Sequence, residues 1–149
     1  MGKLQKLKIN LNFTPCKSDV GDELYRNGIF EFNIAKILND IKSNAISFEI
    51  IDLDVRLWQK DHNLFANLND EHIKSSDVTI PIIIAEISPQ NYNCIDGNHR
   101  LEKANRENVL YIKAYKINSP HHINYLTDVS AYKKYIDYWN SKLVDNNSI

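Results

Sequence analysis

The chain has 149 residues, 43 % hydrophobic and 25 % charged, with 18 basic against 19 acidic side chains and a formal net charge of −1. That length suits one domain with its own core, and the balance lacks the basic excess with which a dedicated nucleic-acid-binding domain neutralises phosphates. Cys16 and Cys94 make no disulfide framework, the opening residues lack the apolar run of a signal peptide, and no stretch nears the ~20 apolar residues of a membrane span; a cytoplasmic single-domain protein with no membrane partner is expected.

Leu7, Ile9, Leu11 and Phe13 alternate with Lys8, Asn10 and Asn12, a period of two that predicts a half-buried strand opening the fold. Pro15 and the polar run 17–23 follow as a loop. Phe30, Ile34, Ile37, Leu38 and Ile41 recur at helical spacing and predict a helix over 29–43, so residues 1–47 form an N-terminal strand and helix. Phe48, Ile50 and Ile51 begin a second strand, which 52–59 continues or turns away from, and the polar interval 60–77 holds a short helix near 69–74. The run IPIIIAEI, 80–87, is a strand buried on both faces, with Pro81 suited to its start. Ser88-Pro89-Gln90-Asn91 is turn chemistry, and 92–95 returns as a short antiparallel strand. That hairpin brings 78–81 beside Asp96 and Gly97. A helix from Asn98 ends near Asn108, a plausible left-handed C′ residue. Leu110, Ile112 and Ala114 alternate in a further strand. In the closing segment 118–149, Val129, Tyr132, Ile136, Trp139 and Leu143 form the stripe of a C-terminal helix.

The stretch IDGNHRLEKA, 95–104, asks for chemistry. It runs from the end of a strand, through a carboxylate and a glycine, into a helix whose first turn carries His99 and Arg100. Cations at a helix start are mildly unfavourable unless an anion sits among them, held by free backbone N–H groups as well. Gly97 can take a positive φ and let a ligand approach. Asn98 suits the N-cap. Arg100 offers a fork that matches phosphate oxygens, and His99 can donate a hydrogen bond or titrate. From the residues alone two readings stand: a phosphate cradle, or a tight turn in which Asp96 pairs with Arg100.

The words PIIIAE, YNCIDGNHRLEKA and VLYIKAYKI, in that order, resemble the ParB/sulfiredoxin-like superfamily. The resemblance covers residues 48–117 and depends chiefly on Gly97-Asn98-His99-Arg100 with Ala104. It implies a ParB-like core and a turn that binds nucleotide phosphates, with Gly97, Asn98, His99 and Arg100 as the cradle and a nucleotide (ATP, ADP or CTP) with Mg²⁺ as the cofactor. It also implies that IIDLDVRLW corresponds to the family's upstream strand, placing Asp52, Asp54 or Arg56 near the same cleft. Two departures narrow the reading. Sulfiredoxins carry a reactive cysteine directly before the His-Arg pair, where this chain has Asn98; Cys94 lies four residues earlier, on the strand, and reads as a small core residue. Partition proteins add a helix-turn-helix domain and a dimerisation tail, for which the residues after Ile117 are too few.

Weaker patterns carry less. Asp61-His62-Asn63 with Asn98-His99 shares letters with HNH nucleases but not their spacing. His121-His122 has no third metal ligand at a recognisable interval, and Asp19, Asp22 and Glu23 read as a solvated loop. Tyr125, Tyr132, Tyr135, Tyr138 and Trp139 crowd the C-terminal helix, and Tyr135 with Tyr138 would offer an aromatic surface to a protein partner.

The expectation is therefore an α+β protein, a small mixed sheet flanked by helices. It binds a nucleotide or phosphorylated small molecule at 97–100 and acts as a phosphotransferase or nucleotide hydrolase, with Arg100, His99 and the helix N-terminus stabilising phosphate charge and Asp96 or Asp52 as base or metal contact; Asp96, His99 and Asp52 are thus the candidate catalytic residues. The alternative is a non-enzymatic protein-binding module, such as an immunity protein, an antitoxin or a phage accessory factor. A third reading is a nuclease, against which the lack of basic excess argues.

Overall fold

The computed structural model describes residues 6–28, 30–62 and 68–147. The fold is α+β. In chain order the elements are β1 (Leu24–Asn27), β2 (Phe30–Asn33), α1 (Ile34–Lys42), β3 (Glu49–Asp54), α2 (Val55–Asp61), α3 (Asp70–Ser75), β4 (Ile82–Ser88), β5 (Asn91–Asp96), α4 (Asn98–Arg106), β6 (Tyr111–Ile117), a 3₁₀ turn at Ile123–Tyr125 and α5 (Val129–Asn147). They form a two-stranded sheet, β1-β2, and a four-stranded sheet in the order β3-β6-β4-β5. The chain divides into two compact units: one of Phe48–Ile84 and Cys94–Ile117, the other of Met1–Ser47, Ala85–Asn93 and Asn118–Ile149.

In the first unit β3 pairs antiparallel with β6, and the register sets Glu49 opposite Lys116 and Asp52 opposite Lys113. Opposite charges directly across an antiparallel pair support that alignment. The side chains of β4 are buried throughout, Glu86 and Ser88 included, as its nearly continuous apolar run predicts of a strand covered on both faces. Leu101 and Ala104 are the buried face of α4. Its end follows the sequence: Glu107 is the C-cap and Asn108 turns left-handed at φ 57. The predicted short helix forms as α3, capped by the Asn69 side chain, which accepts from the N–H groups of Glu71 and His72. The question left at 52–59 resolves as a turn away. Asp54 ends β3, accepts from the N–H of Leu57 and starts α2.

The other unit corrects two expectations. Residues 6–13 form no strand; Leu11 is 91 % exposed. Their backbone groups bond to α5 side chains instead of a neighbouring strand: Leu7 to Asn140 and Asn10 to Tyr132. Alternation marks a strand only where a second strand completes the ladder. The second correction concerns 29–43. Helix α1 starts at Ile34 because buried Asn33 caps it, accepting from the Lys36 N–H, while Phe30–Asn33 pairs with β1. Phe30 is core, but it lies four residues before Ile34 by coincidence rather than on the helix.

The C-terminal helix appears as α5, with Ala131, Tyr132, Tyr135, Ile136, Trp139 and Leu143 buried. Tyr135 is fully buried, its hydroxyl donating to Ser119 Oγ at 2.9 Å. The exposed aromatic pair expected at Tyr135 and Tyr138 is thus reduced to Tyr138, which is 38 % exposed.

Candidate functional site

The site grows from the junction of β5 with α4. Asp96 ends the strand, and Gly97 turns the chain with φ 104 and ψ 23 before the first helical bond forms from the Leu101 N–H to the Gly97 carbonyl. A Cβ at Gly97 would lie 2.4 Å from Ile82 Cγ2 and 2.8 Å from Arg100 Nη2. Glycine is needed here twice over, for the left-handed backbone and for contact with the start of β4.

The cap differs from expectation. Gly97, not Asn98, is the N-cap, and no side chain caps α4. Asn98 is already helical, and its Nδ2 donates back to the Cys94 carbonyl at 3.2 Å. The left-handed glycine starts the helix one residue early, which turns the Asn98 side chain toward β5. The first-turn N–H groups of 98–100 consequently have no partner among the described residues.

Arg100 is two-faced. Its Nη2 donates to Asp96 Oδ2 and to the Pro81 carbonyl, both at 3.2 Å. Its Nε is buried with no hydrogen-bond partner among the described residues. The ion pair open in the sequence is therefore formed, with side chains 18 % and 15 % exposed, yet the guanidinium keeps an unspent donor. Two further buried donors without partners among the described residues, Trp58 Nε1 and Gln59 Nε2, lie on α2, which packs against α4. Buried polar groups in folded proteins are nearly always satisfied, so these donors ask for an acceptor.

His99 lies beside α3. Its Nε2 accepts from the Asn69 N–H at 3.3 Å, and its ring meets His72 edge-on at 5.3 Å. Burial, and then the neighbouring His72, lower its pKa. With Nε2 accepting, the neutral ring carries its proton on Nδ1.

The upstream carboxylates do not join the turn. Asp52 sits on β3, the edge strand opposite β5, is 61 % exposed and pairs with Lys113 Nζ at 2.6 Å. Two strands separate it from β5, which at ~4.8 Å per strand sets the two edges about 14 Å apart. Asp54 is spent on capping α2, and Arg56 lines a groove with Leu57, Lys60, Leu110 and Tyr111. Cys94 is buried and pushed up to about 12, chiefly by loss of solvent, so it holds its proton.

Sequence reasoning missed Lys103, whose Nζ donates to the carbonyls of Lys74 and Ser76 at 2.8 and 2.7 Å and ties the end of α3 to α4. Its signal was spacing: His99, Lys103 and Arg106 share one helical face, and Arg106 also reaches α3 through Asp70. Asp77 was missed too. Its carboxyl is lowered chiefly by the Thr79 hydroxyl and N–H, with smaller help from Lys103 and Arg100. Among the described residues no group of three or more His, Cys, Asp or Glu side chains gathers to hold a metal ion. No protein-family model matches the chain, and no curated protein or solved structure matches it significantly.

Proposed function

We propose that this chain binds the phosphate groups of a nucleotide at the Gly97–Arg100 turn, as its resemblance to ParB/sulfiredoxin-like proteins implies. The supporting observation is the uncapped start of α4 beside the buried, unpartnered Nε of Arg100. Phosphate oxygens would accept from the N–H groups of 98–100 and from Arg100, which can keep Asp96 on Nη2 while it does so. His99 offers its Nδ1–H, while Asn98 contributes its backbone N–H rather than its side chain. With no cage of carboxylates among the described residues, Mg²⁺ would arrive on the nucleotide's own phosphates.

Binding is better supported than turnover. A phosphotransferase or hydrolase needs a group to receive a proton or position the attacking oxygen. Asp96 is paired with Arg100, His99 Nε2 is taken by Asn69, and Asp52 is on the far edge of the sheet. The test is calorimetric titration of the purified protein with ATP, ADP, CTP and GTP in Mg²⁺. At least one should bind saturably, and Arg100→Ala should weaken it roughly 10- to 100-fold, the loss of one or two charge-assisted hydrogen bonds. The reading is wrong if none binds, or if Arg100→Ala binds as well as the parent.

A further inference from the structure

The unit containing α1 and α5 holds a cavity of about 430 Å³, lined by none of the residues of the Gly97 turn. That volume lies within the range of small-molecule sites. Its lining includes the buried, apolar Ile46, Ile123 and Ile136 beside the polar Asn10, Ser47 and Asn124. One side is the Phe13 ring stacked flat on Tyr132, 4.0 Å between centroids with 3° between planes. Its rim includes Lys8 and His121, both exposed and with side chains that have no hydrogen-bond or ion-pair partner among the described residues.

The charge on that lining is one-sided. None of the described lining residues is acidic. Asp40, which accepts from the Tyr125 hydroxyl at 2.5 Å, is not among them. An ammonium and an imidazole, which can donate in either charge state, thus share this lining with apolar side chains and with no acidic side chain among the described lining residues. One wall, including Lys8, belongs to the irregular segment 6–13. Asn140 of α5 clamps that segment by both backbone groups of Leu7: Nδ2 donates to the carbonyl and Oδ1 accepts from the N–H, each at 2.9 Å. The Tyr132 hydroxyl accepts from the Asn10 N–H at 2.7 Å. The wall is thus held in place from α5.

We propose that this cavity is a second ligand site, and that it takes a small organic anion with an apolar or aromatic body. The body rests on Ile46, Ile123 and Ile136 against the Phe13–Tyr132 pair, and the anionic head faces Lys8 and His121. Charge-assisted bonds to the head and burial of the body would then act together.

The experiment compares two probes with one body and opposite heads, 4-phenylbutyrate and 4-phenylbutylammonium, by calorimetry and by the ring-proton shifts of Phe13 and Tyr132. The carboxylate should bind saturably at one site and move those ring signals, with the ammonium probe weaker by about tenfold or more. A Lys8→Glu/His121→Glu double variant, changed only at exposed positions, should keep its melting temperature and reverse the preference. Arg100→Ala should leave this binding unchanged, which separates it from nucleotide binding at the turn. The proposal is overturned by no saturable binding, by equal affinity for the two probes, by a double variant that still prefers the carboxylate, or by loss of binding in Arg100→Ala.

Discussion

Gly97 and Gly21 share a left-handed backbone, at φ 104 and φ 89, but not their surroundings. A Cβ at Gly21 meets nothing within 4 Å, while one at Gly97 collides with Ile82. Gly21→Ala should therefore cost only the backbone part, about 1–2 kcal/mol, and Gly97→Ala about 2–5 kcal/mol once overpacking is added. Urea unfolding of the two variants measures the difference, and equal losses would remove the steric argument. His122 makes a second residue-scale case. It is fully buried, its Nε2 donates to the Glu86 carbonyl at 2.5 Å, and its Nδ1 has no partner among the described residues. Burial pushes its pKa down from the ordinary 6.5 to about 4. Between those values the unfolded chain binds a proton that the folded chain refuses, so stability falls as pH falls across that window, by on the order of 3 kcal/mol. His99, lowered less and for the same first reason, acts in the same direction. The lowered carboxyls of Asp22 and Asp77 stabilise the fold above their ordinary 3.8 and lose that contribution only as the pH falls below it. His122→Gln keeps a donor for Glu86 and should flatten the stability profile between pH 4 and 6.5; parallel profiles for variant and parent would contradict this.

Among the elements, α3 and the segment 6–13 are held by few bonds and should respond locally. Lys103→Met keeps the alkyl stem but loses the two carbonyl contacts of Nζ. Faster amide exchange confined to 70–76, with a global loss of only about 1 kcal/mol, is expected. Asn140→Ala removes both bonds to Leu7 and should expose 6–13 to limited proteolysis while α5 stays protected. Uniform acceleration of cleavage across the chain would show that the clamp is not local. The same contrast explains which elements were legible. β4, β6 and α5 bury their faces, and burial writes its period into the sequence: Ile112 and Ala114 at intervals of two, Tyr132, Ile136, Trp139 and Leu143 at helical spacing. Residues 6–13 show an equally clean alternation, but their partner is a helix. Nothing in a period of two says which neighbour will take the hydrogen bonds.

For the molecule as a whole, composition set a boundary that the fold respects. Helices and two sheets make an α+β protein, and no helix among the described residues is long and apolar enough to cross a membrane. Basic and acidic side chains balance, and several basic ones are already paired: Lys113 with Asp52, Lys36 with Asp19 and Arg106 with Glu102. With no basic excess to release counterions from a duplex, plasmid DNA should migrate unretarded and uncut with the protein at low salt. Retardation that weakens steeply with added salt would reopen the nuclease reading.

The sequence by itself determined the α+β class, the strand–glycine–helix junction at 96–98 and the presence of His99 and Arg100 in one helical turn. These follow from local spacing and from backbone chemistry that needs no distant partner. Tertiary structure decided the rest. It took Asp52 to the opposite edge of the sheet, turned Asn98 onto the Cys94 carbonyl, buried Tyr135 and tied Asp96 to Arg100 while leaving Nε unspent. Each depends on which strands are neighbours and which backbone groups lack a partner. Those are properties of pairing between residues far apart in the chain, and no local pattern encodes them.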